Sequence, residues 1–345
     1  MIRWAQLLHD CWGLYNLMDI TVVIPTYNRV DRLPILLSAL EQQDFPMDKF
    51  EVIIVSDGAT DATNEFLQTI NTPLHLKPLI QENQGPAAAR NYGWQSAVGN
   101  IIVFIDDDIV PVPNLITEHL LWHEKYGENV VVFGPMATPD DFDMSPWIAW
   151  EQAMLQKQYD AIGNNTLKPS ARQFYTGNTS LARVHLEQVG GFDARFRRAE
   201  DLELSYRLAD QGLEFVFNAK AIGYHYAERS FNSWLAIPYA YGQNDVIFTR
   251  EKGQTWLLPR VFQEFGRRHF LIRFLTWLCL DHERLSKYIV GFLNAIVLSK
   301  FFIKRRRWTT MACSAIFNLR YYQGMANELG GRHYFFEGIK EAKEE

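Results

Sequence analysis

Cysteine is scarce: Cys11, Cys279 and Cys313 are the only three in 345 residues. Their odd number and wide spacing exclude a disulfide framework and a zinc-ligand pattern, and fit a reducing cytosol. Positive charge is not in excess. A formal net charge of -6 argues against general nucleic-acid binding. No internal repeat and no low-complexity tract occurs, which excludes a solenoid or a disordered linker. Long apolar runs are also missing. Tyr288 to Ser299 is free of charge for twelve residues before Lys300, short of the ~20 that a spanning helix needs. The start, MIRWAQLLHDCWGLYNLMD, is not expected to act as a signal peptide, because His9 and Asp10 interrupt its short apolar runs. Its apolar positions recur at three and four residues, so residues 1–19 are expected to form an amphipathic helix.

What is present suffices for a large core: 48% of residues are hydrophobic and 14% aromatic. The length fits one large domain plus an appendage. Strand-like runs (ITVVIPT, FEVIIVSD, PLHLKPLIQ, NIIVFI) alternate with helical ones (Arg32 to Gln42, ATDATNEFLQTI, GPAAARNYGWQSAV). That alternation predicts an α/β domain with a mainly parallel sheet covered by helices, and ligands bound beyond the carboxyl ends of its strands. Further on, MSPWIAWEQAML and AEDLELSYRLADQG read as helices, the second stopped by Gly212. QFYTGNTSLAR reads as strand and loop, and EFVFNAKAIGYHY as strand, turn, strand. A boundary is placed near residue 230, giving 20–230 as the α/β domain and 231–345 as a helical region.

The stretch NIIVFIDDDIVP sets three carboxylates side by side at the end of a buried strand. Their repulsion needs something to offset it. Strand alternation would put Asp106 and Asp108 on one face and Asp107 on the other. Two carboxylates converging there suit a hard divalent cation, Mg²⁺ or Mn²⁺, which bridges acids to phosphates.

Five motifs in order, VVIPTYNR, EVIIVSDGATD, GPAAARNYGWQSAVGNIIVFIDDD, TGNTSLAR and GGFDARFRRAEDLELSYRL, resemble the family 2 glycosyltransferases of the GT-A fold. The resemblance runs from about Ile20 to Tyr226. It implies a Rossmann-like nucleotide-sugar-binding domain, a UDP- or GDP-sugar donor, a divalent metal, and inversion at the anomeric carbon. It also implies roles. Pro25, Thr26, Tyr27, Asn28, Asp57, Gly85, Arg90, Asn91, Asp106 and Asp107 would line the donor site, with Asp57 holding the base. The chain has Ser56-Asp57-Gly58 where the family often has Asp-Asp-Gly. Asp106, Asp108 and His225 would contact the metal, and Gly177 and Asn178 would border the sugar or acceptor. Asp201, with Glu200 beside it, would take the proton of the attacking hydroxyl. The acceptor would be a glycan or a lipid-linked saccharide.

Three other classes compete for parts of the sequence. VFIDDDIV also matches Asp-x-Asp-x-Val, the nucleophile motif of haloacid dehalogenase-type phosphatases, with Asp106 as nucleophile. Two strand–helix units precede it, however, and no downstream Gly-Asp-x-x-x-Asp cluster follows. A nucleotide-sugar-binding protein without turnover would not need the Glu200-Asp201 pair. A sugar-phosphate nucleotidyltransferase would carry a Gly-rich Arg/Lys signature near its start, which is missing.

Between Val261 and Arg307 the balance reverses: ten Lys/Arg stand against Glu264, Asp281 and Glu283. The apolar runs HFLIRFLTWLCLDH and YIVGFLNAIVLSKFF lie among them. Two readings fit: amphipathic helices with a basic rim in a membrane interface, or a helical bundle capping the catalytic domain. The first would make the chain a cytoplasmic protein peripheral to the membrane face. Trp147 and Trp150, one helical turn apart, are placed either to stack on a sugar or to pack inside.

Overall fold

The computed structural model describes residues 20–299 and 306–344. The expected N-terminal helix and most of the basic run from Lys300 lie outside them. The described chain forms two compact units. The first runs to Phe142 and resumes over Gln156–Tyr226; the second comprises Asp143–Leu155 and the chain from Ala227.

The first unit holds a seven-stranded sheet in the order β3-β2-β1-β4-β8-β6-β9. Its strands are β1 (Ile20–Thr26), β2 (Phe50–Asp57), β3 (His75–Gln81), β4 (Ile101–Ile105), β6 (Val130–Phe133), β8 (Asn178–Ala182) and β9 (Glu214–Phe217). Every residue of β2 is buried, as continuous apolar strands are when helices cover both faces. Pro78 lies on β3 at the sheet edge, where its missing N–H is tolerated. The pairs β3-β2-β1-β4 are parallel; only β8 runs against its neighbours β4 and β6. This topology places the carboxyl ends of β1, β2 and β4 side by side. It also brings the amino end of β8 to the carboxyl end of β4, pairing Ile105 with Asn178.

The helices of this unit are α1 (Leu33–Glu41), α2 (Thr63–Thr69), α3 (Pro86–Gln95), α4 (Leu115–Tyr126), α6 (Arg183–Val189) and α7 (Glu200–Asp210). In α3 the small residues serve close packing. A Cβ on Gly93 would stand 2.4 Å from a methyl of Val23 on β1. A second sheet, order β5-β10-β7, joins β5 (Ile109–Pro111), β10 (Gly223–His225) and β7 (Met136–Ala137). Its register sets His225 opposite Ile109.

Helix α5 (Pro146–Gly163) is divided at Leu155 between the two units. The second unit adds α8 (Phe231–Glu251), α9 (Leu257–Arg267), α10 (Phe270–Cys279), α11 (Glu283–Leu298), α12 (Arg306–Leu329) and α13 (Arg332–Glu344). Trp234, Cys279, Val290, Val297, Cys313 and Ile316 form its core, and Trp147 and Trp150 pack against them. The Trp147 indole donates to the Arg229 carbonyl at 3.0 Å, and Trp150 packs on Trp234 and Phe317. Both tryptophans therefore have interior packing roles. That residues 143–155 belong with the C-terminal helices was not foreseen from the sequence.

Candidate active site

The three aspartates do not follow strand alternation. β4 ends at Ile105, and residues 106–108 form a turn into β5, closed by the Ile109 N–H donating to the Asp106 carbonyl at 3.1 Å. Each carboxylate faces a different partner. Asp106 pairs with Arg90 at 2.7 Å. Asp107 accepts from the Thr26 hydroxyl at 2.7 Å and lies 3.8 Å from Arg29. Asp108 lies 3.6 Å from His225 Nε2. Arg90 at Asp106, and Thr26 with Arg29 at Asp107, thus offset the repulsion within the triplet. It is not fully relieved: burial, then the neighbouring Asp108 carboxylate, pushes Asp107 up to about 7.

Arg90 is the hub. It lies buried in α3, with one guanidinium nitrogen on Asp106 and the other on Glu200 at 2.9 Å. Burial works against its charge, but the Asp106 and Glu200 carboxylates outweigh it and hold it protonated. Glu200 opens α7 after Ala199, whose φ of +59° lies in the left-handed region. That costs about 1–2 kcal/mol for a residue with a Cβ. Such strain persists where surrounding contacts fix the geometry; here the Arg90–Glu200 pair does so. The next residue, Asp201, accepts from the Leu202 N–H at 2.8 Å. Burial, then the adjacent Glu200 carboxylate, pushes its carboxyl up to about 7. The structure therefore brings Arg90, Asp106, Glu200 and Asp201 into one constellation. Glu200 is occupied by an ion pair, and Asp201 has an ordinary acid's affinity for protons raised toward neutrality.

Other expected residues hold loops. The Asp57 carboxylate accepts from the Gln84 and Gly85 N–H groups and the Gln81 amide, each at 2.8 Å. It therefore fixes the turn into α3 at Gly85, whose φ is +94°. Asn91, expected at the donor, instead uses its amide on Phe192, accepting from its N–H and donating to its carbonyl, both at 2.8 Å. At the end of β1, Pro25 is half-buried and Tyr27 is exposed. Asn28 accepts from the Thr60 N–H at 2.7 Å with a φ of +54°.

Gly177 stands where β8 meets Asp106, and its carbonyl accepts from the Asp106 N–H at 3.3 Å. A Cβ there would lie 3.0 Å from Asp106 Oδ2 and 2.8 Å from Met136 Sδ. Since Arg90 holds Asp106, that carboxylate cannot yield without loss. Gly177→Ala is expected to destabilise the first unit by about 1–3 kcal/mol through overpacking. An unchanged urea midpoint would show that the site has slack.

Asn178 is fully buried rather than lining an open site. Its Nδ2 donates to the Pro135 and Ala221 carbonyls at 3.1 and 2.8 Å, so its Oδ1 is the atom facing His119 Nε2 at 2.9 Å. His119 must then carry its proton on Nε2 and accept at Nδ1 from the Ser180 hydroxyl at 2.8 Å. Ser180 in turn accepts from His123 Nε2–H at 2.8 Å. The chain Asn178–His119–Ser180–His123 thus has one consistent proton order, and His123 Nδ1 ends it with no hydrogen-bond partner among the described residues. Burial pushes His119 down to about 4 and His123 down to about 3. The sequence reading missed both histidines. Their i, i+4 spacing on α4 facing alternate residues of β8 was the available signal.

Among the described residues no three His, Cys, Asp or Glu side chains are gathered to hold a metal. Asp108 and His225 are a pair. Their 3.6 Å spacing is near the roughly 3 Å between adjacent ligands of an octahedral cation, and such cations take remaining ligands from phosphates and water. Asp108 and His225 are thus the residues placed to hold a divalent ion.

Comparison with known proteins bears on this geometry. Residues 21–190 match the model for glycosyl transferase family 2. Glycosyltransferase AglE of Haloferax volcanii is 28% identical over 70% of this chain and 75% of its own length. Validoxylamine A glucosyltransferase of Streptomyces hygroscopicus subsp. jinggangensis is 28% identical over 59% of this chain, which spans only about half of that relative's length (54%). The fold is shared with S. aureus TarS 1-349 in complex with UDP-GlcNAc (TM-score 0.55, 17% identity, 89% and 90% of the two chains). It is shared also with the mannosyltransferase PcManGT of Pyrobaculum calidifontis in complex with GDP-Man and Mn²⁺ (TM-score 0.54, 20% identity, 92% and 94%). The family match overturns the phosphatase reading of Asp106. With a GT-A sheet and glycosyltransferases as its relatives, the chain belongs to glycosyltransferase family 2.

Proposed function

We propose that the chain transfers a sugar from a nucleoside-diphosphate sugar to an acceptor hydroxyl, inverting the anomeric carbon, with Asp201 as general base. The acceptor is a glycan or a lipid-linked saccharide, met in the cytoplasm at a membrane face. The observation that carries this reading is the division of labour at α7. Arg90 engages Glu200 and Asp106, while Asp201 is left to take a proton at near-neutral pH. The nucleotide lies over the carboxyl ends of β1, β2 and β4, against Tyr27, Asn28 and the turn that Asp57 holds at Gly85. Asp108 and His225 would hold Mg²⁺ or Mn²⁺, which supplies charge stabilisation to the departing diphosphate when bound. Asp106 acts through Arg90, fixing the floor of the site.

Thermal shift with UDP and GDP, each with and without Mn²⁺, tests the donor class. A bound nucleotide at a hundredfold excess over Kd should add about 2.7 kcal/mol of stability. Asp108→Ala is expected to remove the metal-dependent part of nucleotide affinity and keep the fold. Equal Mn²⁺-dependent affinity in that variant, read by calorimetry, would move the metal elsewhere.

A further inference from the structure

Helices α10 and α11 both pack on α12 and touch each other, so one side of each is covered. On α11 the covered side is Ser286, Val290 and Val297. Opposite it, Tyr288 and Phe292 are 79% and 67% exposed, with Leu298 also open. On α10 the covered residues are Thr276 and Cys279. Phe270, Phe274 and Trp277, spaced i, i+4 and i+7 and therefore on one face, are exposed, Phe270 by 66%. Exposed apolar side chains mark an interaction site when they cluster.

The charges around them identify the partner. Arg273 on α10 and Arg284 and Lys287 on α11 are exposed, and Arg267 and Arg268 precede α10 in the same state. Only Asp281 and Glu283 oppose them among the exposed residues of 267–298, and Glu283 is matched by Lys287 at 2.8 Å. This cationic surface belongs to a chain whose net charge is -6, so the asymmetry is local. A second copy of the same face would set cations against cations. Aromatic and aliphatic side chains rimmed by Arg and Lys match the boundary between acyl chains and acidic headgroups. No described helix is long and apolar enough to cross a membrane.

We propose that the outer faces of α10 and α11 dock the chain on an anionic lipid bilayer, with Phe270, Phe274, Trp277, Tyr288 and Phe292 at the acyl boundary and Arg273 and Arg284 on the headgroups. This goes beyond the transfer reaction and does not depend on it. The rings supply apolar burial. The cations supply attraction that salt screens over about 8 Å at physiological ionic strength.

Co-sedimentation of the full chain with vesicles tests it, without donor or acceptor. The chain is expected to pellet with equimolar phosphatidylcholine and phosphatidylglycerol at low salt, to be released as salt rises, and to bind phosphatidylcholine alone far less. Arg273→Gln with Arg284→Gln should weaken partitioning roughly tenfold or more. Phe274→Ser with Phe292→Ser should weaken it on the same vesicles, with circular dichroism unchanged because both rings are exposed. A chain that stays in the supernatant with phosphatidylglycerol vesicles at low salt overturns the proposal. So does vesicle binding that neither double variant alters. Self-association that only the phenylalanine variant abolishes would instead assign the face to a protein contact.

Discussion

Asp201→Asn is expected to lower transfer by roughly 10²-fold or more while leaving donor affinity within a few fold. The amide keeps the size of the side chain but cannot take a proton. The same reasoning fixes the pH profile. A base acts only when ionised, and burial next to Glu200 pushes Asp201 up to about 7. At saturating donor, kcat should therefore climb as pH rises through about 7 and level off above it. In Asp201→Asn that limb should vanish. Glu200→Gln should behave differently. It breaks the ion pair to Arg90, leaving a buried cation with Asp106 alone, so losses in stability and donor binding should accompany the loss of rate. Near-normal turnover in Asp201→Asn, with an unchanged pH limb, would transfer the role to another group.

Acid should destabilise the first unit well before its exposed carboxylates explain it. His119 and His123 are buried and neutral in the fold, pushed down to about 4 and about 3, whereas an unfolded histidine titrates near 6.5. Below 6.5 the unfolded chain binds protons that the folded chain refuses. Stability from this pair is thus complete above about pH 6.5 and is lost as pH falls toward 4 and then 3. Together the two should cost on the order of several kcal/mol by pH 4. His123→Gln keeps an N–H for Ser180 and cannot titrate. Its urea midpoint should fall less steeply between pH 6.5 and 4 than that of the unaltered chain. Parallel slopes would mean that the histidines charge in place, and the proton order drawn from Asn178 to His123 would be wrong.

The sequence by itself determined the α/β sheet, its four leading parallel strands and the family. Continuous apolar runs such as EVIIVS and small-residue helices such as PAAAR are local signals, and strand ends must carry whatever binds the ligand. It also located the acids at 106–108 and 200–201 as the groups of interest. What each carboxylate does was decided only by tertiary structure, because its partners come from far along the chain. Arg90 meets Glu200 across 110 residues, and Thr26 meets Asp107 across 81. The strand-alternation rule misjudged Asp106 and Asp108 because the chain leaves the extended state at Ile105. Asn91 and Asn178 looked like ligand-facing amides. Asn178 is buried and Asn91 half-buried; such groups take protein partners instead, and theirs, at Phe192, Pro135 and Ala221, lie in loops that no local window contains. Trp147 and Trp150 likewise owe their interior packing to α8 and α12, which follow them by 80 residues and more. Spacing can place a side chain on a face, but what that face meets depends on how distant segments pack.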